Sequence, residues 1–493
     1  MAIGKEVLRG SFFNFLNVLV SRGLGLIFTI IVARLLQPEL FGVYSLTLSV
    51  TLLVLTAADF GLASTLVRYV SEALGKKDEK KARSYFKFLL KYRFFAAFLF
   101  SLALFIFAKP LAVYFFKKPE LVMPLQVSSF YLFFSSLLDF VSFLFFALKR
   151  VEYVTVKEAI FQVLRLILAP VAILLLTLKF KVVGVLAAMA FSTLAALIFS
   201  FFILNKKFIS VTKGPTVTID RKRVLRFALM LTIMGLSGMF IVYADSIILG
   251  ALLPIQYVGF YRTAITIVDG IAGLIVMGFV VFPFLTQLRG KKFASAFSKI
   301  FHFSALISIP LCFGLALTAS PFIAVLFGKE YLPASLPLYL LSFLIFEMAT
   351  LSYFMIAFQA KERLKEPIII IIVATILNVV LNYVLIRYFA SFRIDLGMLG
   401  AAIATVSTRY ISAIAIWILA VKKLKLEIKT ESIYKPIIAS LIMALAILLI
   451  PSPTIFVGIL EIIFASAIYF TALFLIKGIR KEDILYLRNL IKK

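Results

Sequence analysis

Residues 33–44 read Ala-Arg-Leu-Leu-Gln-Pro-Glu-Leu-Phe-Gly-Val-Tyr, and residues 250–261 read Gly-Ala-Leu-Leu-Pro-Ile-Gln-Tyr-Val-Gly-Phe-Tyr. The two strings lie 217 positions apart, each joins two long apolar segments, and each contains a proline. Four positions are identical: Leu35 with Leu252, Leu36 with Leu253, Gly42 with Gly259, and Tyr44 with Tyr261. Internal repeats in a chain with membrane-length apolar segments are typical of transporters.

The composition indicates an integral membrane protein. Of the 493 residues, 63% are hydrophobic and 15% are charged, and the mean hydropathy is +1.09. A soluble protein of this length could not bury that much apolar surface, whereas a bilayer can. The apolar stretches have the length that a helix needs to cross the hydrocarbon, about 20 residues, and lack the alternation of barrel strands. The sequence predicts fourteen spans, at 12–33, 43–67, 88–108, 121–147, 157–178, 182–204, 227–252, 257–284, 299–320, 334–359, 367–388, 398–420, 435–451 and 455–476.

The net charge of +29 is concentrated on one side of these predicted spans. Lysine and arginine in alternate connections differ by about four to one, so the positive-inside rule predicts a multi-pass protein of the cell membrane with both termini cytoplasmic. This sidedness argues against a nucleic-acid partner and favours contact with anionic membrane lipids.

Cysteine and histidine each occur once, as Cys312 and His302. An intrachain disulfide and a Cys/His metal cluster are therefore excluded. We expect no cofactor, although a coupling ion, Na⁺ or H⁺, stays open. The amino-terminal residues lack a small-residue cleavage pattern, which favours an uncleaved first helix.

The basic loop 205–226 is the expected boundary between two lobes, because it is the longest polar connection and Gly214-Pro215 interrupts any helix through it. Six spans precede this loop and eight follow it. Since the repeat pairs spans 1–2 with spans 7–8, the predicted fold is an all-α membrane protein with two six-helix lobes in parallel repeat and two carboxyl-terminal helices. The predicted units are residues 1–225, residues 226–424, and residues 425–493 with the cytoplasmic tail.

Ionisable and amide side chains inside the apolar spans are the candidates for a substrate cavity. A charge at the centre of a membrane helix costs about 2.5–3.5 kcal/mol on insertion scales, so each should face a cavity or a partner. Asp139 and Arg165 are two of the charged residues that lie inside apolar spans. The candidate cavity residues are Asn14, Asn17, Arg22, Asp59, Asp245, Arg262, Asp269, Glu347 and Arg409.

Span 1 carries a polar face. Asn14, Asn17 and Ser21 recur at spacings of three and four, so they share one side of a helix, and Arg22 lies beside them. One interpretation is a cavity wall in which Arg22 binds an anionic headgroup. The alternative is an intramolecular salt bridge of Arg22, for instance with Asp59.

For two further pairs of charged residues, an ion pair is again an alternative to a role in the cavity. Arg262 and Asp269 are seven residues apart on one face of span 8, and Arg262 could hold a phosphate bidentately or pair with Asp245. Glu347 and Arg409 lie near mid-depth of their spans, where an ion pair between them is favoured.

Three stretches resemble the polysaccharide transporter family of lipid-linked oligosaccharide flippases, in the superfamily that also holds multidrug-and-toxin extruders and lipid II flippases. They are the string 33–44, Asp59-Phe60-Gly61-Leu62, and Leu326-Phe327-Gly328-Lys329-Glu330-Tyr331-Leu332-Pro333-Ala334. The resemblance implies two six-helix lobes around a central cavity with alternating access. Related lipid II flippases use cavity arginines for the pyrophosphate, and Arg22 and Arg262 match that role by helix and depth.

These observations predict a flippase that moves a polyprenyl-(pyro)phosphate-linked oligosaccharide from the cytoplasmic to the outer leaflet for the assembly of cell-surface glycans. The alternative is a cation-coupled multidrug or metabolite exporter of the same superfamily. An enzyme is not expected, because no outer loop is long enough to carry a catalytic site. The expected partners are the lipid-linked oligosaccharide and membrane lipids, and we expect a monomer that works near glycosyltransferases.

Overall fold

The computed structural model describes residues 12–275, 281, 285–286, 288–361, 363–449 and 455–478, and the side chains of these residues apart from 230, 233–239 and 455–462. Throughout these ranges the chain forms helices joined by short connections, without a strand. The predicted all-α class is therefore confirmed. Helices are the expected solution in lipid, because each helix satisfies its own backbone hydrogen bonds.

The amino-terminal part of the chain forms nine helices within the described ranges. They are α1 (12–19), α2 (Gly25–Asp59), α3 (Leu62–Gly75), α4 (Glu79–Pro110), α5 (Val122–Ala147), α6 (Val151–Leu175), α7 (Lys181–Lys207), the single turn α8 (Ile209–Thr212) and α9 (Arg221–Leu252). A π-helical turn, Val20–Leu24, joins α1 to α2, and a second, Leu111–Phe115, extends α4.

The remaining described residues form nine further helices. They are α10 (Ile255–Ile275), α11 (Gly290–Leu317), α12 (Ala319–Leu326), α13 (Ser335–Leu341), α14 (Leu344–Ala360), α15 (Lys365–Phe392), α16 (Leu396–Leu424), α17 (Glu431–Leu448) and α18 (Ile455–Leu475).

Ten helical segments of the described ranges are long and apolar enough to cross a membrane. An eleventh is a bent pair, in which Lys329–Leu341 and Leu344–Ala360 meet at 47°. The first segment, Phe12–Gly75, is 64 residues long and covers two of the predicted spans. A multi-pass membrane protein is thus confirmed, whereas the count of fourteen spans stays a prediction.

The predicted span 43–67 is interrupted, which corrects the sequence prediction. Helix α2 ends at Asp59 and α3 begins at Leu62, because Phe60 and Gly61 both have left-handed φ values, 45° and 61°. A Cβ on Gly61 would lie 2.4 Å from the carbonyl oxygen of Ala228. Only glycine allows the backbone of α9 to approach this turn so closely.

The chain divides by its contacts into two compact units. Unit 1 holds the described residues up to Arg262 together with Asn378–Gly397, and unit 2 holds Thr263–Leu377 and the described residues from Met398 onward. Helix α9 belongs to unit 1 because it packs along α2. The predicted lobes follow the repeat along the sequence, not the contacts, and they remain a prediction.

Within unit 1, the two copies of the sequence repeat pack against each other. A Cβ on Gly42 would lie 2.1 Å from the carbonyl oxygen of Ile255, and a Cβ on Gly259 would lie 2.5 Å from the carbonyl oxygen of Pro38. The shared glycine of each copy thus admits the backbone of the other copy. We call this contact the glycine contact, and it explains why the two strings keep a glycine at the same position.

Two further features hold the residues around the glycine contact. The Lys118 ammonium donates a hydrogen bond of 2.6 Å to the carbonyl oxygen of Gly250, and burial lowers the pKa of Lys118 because it disfavours the charged form. Gln37 precedes Pro38 and bends α2 with φ 63° and ψ 166°. A residue before proline is disfavoured in the α region, so the helix turns at this position.

Candidate functional site

Helix α6 carries a line of polar side chains on one face of a membrane span. Glu158, Gln162 and Arg165 follow each other at spacings of four and three, which places them one above the other. The Gln162 amide donates to Glu158 Oε1 at 2.8 Å, and Arg165 Nε donates to Gln162 Oε1 at 2.8 Å. Lys157 pairs with the second oxygen of Glu158 at 3.1 Å. The line therefore holds the Arg165 guanidinium by one nitrogen.

Aromatic rings surround this guanidinium. Its carbon lies 4.2 Å from the ring centroid of Phe28 and 4.8 Å from that of Phe161, both within the range of cation–π attraction. Tyr44, Tyr131 and the Glu158 carboxylate also lie within its electrostatic range. Among the described residues no carboxylate forms a salt bridge with Arg165. Arg165 is therefore a positive charge in a membrane span that neutral groups hold in place.

The first helices pack against α6. Gln162 donates to the carbonyl oxygen of Ser21 at 3.4 Å, and Thr155 donates to that of Phe13 at 2.9 Å. Arg22 lies in the middle of the π-helical turn Val20–Leu24 and is exposed. Such turns are frequent at functional sites. The predicted polar face of span 1 thus adjoins the polar line of α6, and the candidates Asn14 and Asn17 are half-buried on it.

Asp59 pairs with Arg93, so the predicted ion pair between Asp59 and Arg22 is wrong. The Arg93 guanidinium forms a salt bridge with the Asp59 carboxylate and donates from Nε to the carbonyl oxygen of Ser136 at 2.9 Å. Arg93 is 1% exposed. In the described part of the chain, Arg22 has no salt bridge. The sequence analysis missed Arg93 because it lies close to the predicted start of span 3.

Acidic and basic side chains lie close together around Arg93 in unit 1. Asp139 of α5 is exposed, although it lies within a membrane-length helix, and it is within electrostatic range of Lys157 and Arg93. The charges of Arg93 and Lys157 are thus balanced by neighbouring carboxylates. Arg165 differs from them, because it directly contacts the Gln162 amide and two aromatic rings, and the Glu158 carboxylate acts on it without a salt bridge.

Removal of Arg93 should destabilise the protein strongly. Breaking a buried ion pair by deleting one partner leaves the other charge uncompensated, which costs about 3–5 kcal/mol when both groups are buried. Because Asp59 is 31% exposed, we expect Arg93→Ala to cost about 3 kcal/mol, the lower end of this range. Unfolding of the purified protein in one detergent measures this cost. Arg150→Ala, which removes an exposed arginine, is the control. A smaller loss of unfolding free energy in Arg93→Ala than in Arg150→Ala would contradict a buried ion pair at Arg93.

A second carboxylate of unit 1, that of Asp245, is buried and accepts hydrogen bonds from two side chains. The Tyr261 hydroxyl donates to its Oδ2 at 2.7 Å, and the Asn382 amide donates to its Oδ1 at 2.8 Å and to the carbonyl oxygen of Asn378 at 3.0 Å. Asp245 is 3% exposed. Arg262 of α10 lies 5.7 Å from the ring centroid of Tyr243. The repeat residue Tyr261 thus orients a candidate site residue.

The remaining candidates lie in unit 2. Glu347 and Arg409 form a salt bridge of 2.7 Å. This pairing was predicted because both residues lie near the middle of their apolar spans. Glu347 is buried and Arg409 half-buried, so the pair ties α14 to α16. Asp269 is half-buried on α10. The structure therefore gives Glu347 and Arg409 a shared structural role within unit 2.

The sequence also carries a family signature. The family model of the polysaccharide biosynthesis proteins matches residues 7–289, which is more than half of the chain. The chain belongs to this family. The resemblance noted from the repeat strings is thus confirmed. A relative in Haloferax volcanii, the probable low-salt glycan biosynthesis flippase Agl15, is 26% identical over 227 residues, which cover 44% of this chain and 46% of the relative.

Solved structures show that this family member has a transporter fold. The lipid II flippase MurJ in an inward closed conformation matches with a TM-score of 0.76 at 16% identity, covering 98% of this chain and all of the flippase chain. An inward-facing MATE family transporter of the MOP superfamily matches with a TM-score of 0.65 at 17% identity, covering 82% of this chain and 94% of the transporter. These matches support the predicted all-α membrane fold along nearly the whole chain.

Proposed function

We propose that the protein moves an oligosaccharide linked to a polyprenyl phosphate or pyrophosphate from the cytoplasmic to the outer leaflet by alternating access. The observation that supports this proposal is Arg165, a guanidinium in a membrane span that is oriented by Gln162 and lacks a salt bridge among the described residues. A cation in such a place is costly until an anion binds it. A phosphate suits it, because the guanidinium fork matches two phosphate oxygens.

The physical task of such a protein is to shelter a polar headgroup. Each sugar hydroxyl that enters hydrocarbon without a partner costs at least about 1–3 kcal/mol, so a headgroup with about ten hydroxyls faces a barrier above 10 kcal/mol. The polar line of α6 offers hydrogen-bonding partners at membrane depth. The lipid chain would stay in the bilayer throughout.

Arg22 is the second proposed phosphate contact. It is exposed, lies in a π-helical turn that packs against α6, and has no salt bridge in the described ranges. We expect Arg22→Ala to lower the transport rate at least about tenfold, the loss of one charge-assisted hydrogen bond, without loss of folded protein. Arg387→Ala, which removes an exposed arginine bonded to Tyr383, is the control. Unchanged transport by Arg22→Ala would remove this residue from the site.

The alternative function is a cation-coupled multidrug or metabolite exporter, and the likeness to MATE transporters supports it. Such an exporter needs an acidic group that binds Na⁺ or H⁺. Asp59 is a poor candidate because Arg93 already neutralises it. If transport is coupled to an ion, we propose Asp245, since it is buried within a long helix and its carboxylate accepts hydrogen bonds from Tyr261 and Asn382.

Cells that lack the protein distinguish the two functions. A flippase defect should accumulate lipid-linked oligosaccharide in the cytoplasmic leaflet and deplete the surface glycan, with unchanged drug content. The opposite result, drug accumulation with a normal surface glycan, would favour the exporter and contradict our proposal. Re-expression of the native chain should reverse either defect.

A further inference from the structure

A cavity lined by basic residues lies wholly within unit 2. None of the candidate site residues described above lines it. Its volume is about 1440 Å³, and its wall comes from the first turns of α11 and α17, the end of α16, the linker 425–430, and Lys477 after α18. Ligand pockets for drug-sized molecules usually measure about 300–1,000 Å³. The cavity is therefore large enough for a complete lipid headgroup.

Lysine dominates the charge of this cavity. Seven lysines and two glutamates line it, which leaves an excess of five positive charges. One glutamate, Glu431, pairs with Lys435 at 3.1 Å, and the ammonium of Lys435 also donates to the carbonyl oxygen of Lys477. Lys291 and Lys422 are exposed at the rim. So many like charges around one cavity repel each other until an anion enters.

The cavity continues into an apolar stripe on α16. Ile414, Ile418 and Val421 line the cavity, and with Ile411 they recur every three or four residues on one face of the helix. These four side chains are between 42% and 53% exposed. Trp417, which also lines the cavity, is the one tryptophan of the chain, and tryptophan is enriched at membrane interfaces.

A positively charged cavity that continues into an exposed apolar stripe fits a molecule with an anionic headgroup and hydrocarbon chains. We propose that this cavity binds the phosphodiester headgroup of a resident anionic membrane lipid, whose chains lie along the stripe of α16. The few neutral polar side chains that line it, such as Ser295, Ser298 and Ser432, suit a small headgroup better than a glycan. The proposal does not depend on the identity of the transported cargo.

The bound lipid would hold together the helices that build the cavity. Helix α17 packs on α11, and the Tyr469 hydroxyl of α18 donates to the carbonyl oxygen of Leu306 of α11 at 2.8 Å. A phosphate among the lysines offsets the repulsion between these segments. Anionic lipid should therefore raise the thermal stability of the protein.

Trp417 makes the test direct. The full chain in nanodiscs of phosphatidylcholine is supplied with increasing fractions of phosphatidylglycerol, and the emission of Trp417 and the unfolding temperature are recorded. We expect a saturable change of emission and a rise of the unfolding temperature with phosphatidylglycerol. Lys291→Ala combined with Lys422→Ala should weaken the apparent binding about 25-fold, since a lysine near an anionic surface contributes about fivefold.

The control is Lys77→Ala combined with Lys80→Ala, which removes two exposed lysines of unit 1 and lowers the net charge equally. Equal weakening by both variants would indicate diffuse attraction to the bilayer and overturn the proposal, as would an unsaturable response. Displacement of phosphatidylglycerol by millimolar inorganic phosphate would assign the cavity to a soluble anion. Displacement by a polyprenyl phosphate at lower concentration would assign it to the carrier lipid, and our choice of a resident lipid would be wrong.

Discussion

Replacing Arg165 by alanine should lower the rate of oligosaccharide-lipid translocation by at least about 100-fold, because two charge-assisted hydrogen bonds to a phosphate contribute about 1.5–3 kcal/mol each. The guanidinium is already oriented by Gln162 and by the faces of Phe28 and Phe161. The folded protein should survive the substitution, since no salt bridge to Arg165 exists among the described residues. Initial rates in vesicles and gel filtration of the same preparations measure both quantities.

Two further variants separate charge from geometry. Arg165→Lys keeps the positive charge but loses the planar fork, so it should retain a rate between those of the native chain and Arg165→Ala. Arg150→Ala removes an exposed arginine at the start of the same helix, whose partner is Glu152 at 3.5 Å, and it should transport normally. Native transport by Arg165→Ala would refute the assigned phosphate contact.

The second large effect is expected at the glycine contact. In Gly42→Ala the new methyl group would meet the carbonyl oxygen of Ile255, and in Gly259→Ala it would meet that of Pro38. Overpacking costs about 1–3 kcal/mol, and the upper end applies because the obstacle is backbone that cannot rotate away. A cost of about 3 kcal/mol shifts the equilibrium between closed and open contacts by about 100-fold. We expect the contact to close and open during the alternating-access cycle proposed above, so transport should fall with it.

Cysteine crosslinking across the glycine contact and transport assays check this prediction, with Gly75→Ala as the matched control. A Cβ on Gly75 has no atom within 4 Å, so this variant should crosslink and transport like the native chain. If Gly42→Ala and Gly259→Ala also behaved like the native chain, the close approach of the two repeat copies would have no part in the cycle.

The sequence predicted the fold well, since hydropathy and the length of apolar segments determine which stretches become membrane helices. It also revealed Gly42 and Gly259 as equivalent positions. It could not show that the two glycines touch, because a contact across 217 residues depends on tertiary packing. The pairing of Glu347 with Arg409 was predictable, since two opposite charges at one depth of a bilayer have few other partners.

The candidate site was predicted less completely. Arg93 lies close to the predicted start of span 3, where an arginine usually reaches the interface, yet α4 begins at Glu79 and carries Arg93 into the interior. Arg165 was recognised as an intramembrane charge but not as a cavity residue. The spacing of Glu158, Gln162 and Arg165 on one face of an apolar span was the signal that could have identified it.

The most direct test of the proposed function uses sealed vesicles that contain the purified protein and a fluorescent polyprenyl-pyrophosphate oligosaccharide in the inner leaflet. Chemical quenching from outside reports the fraction of headgroups that reach the outer leaflet. We expect quenching to rise with the amount of native protein and to stay near the protein-free level with Arg165→Ala. Quenching that is independent of protein, across several lipid-linked glycans, would contradict the proposed flippase activity.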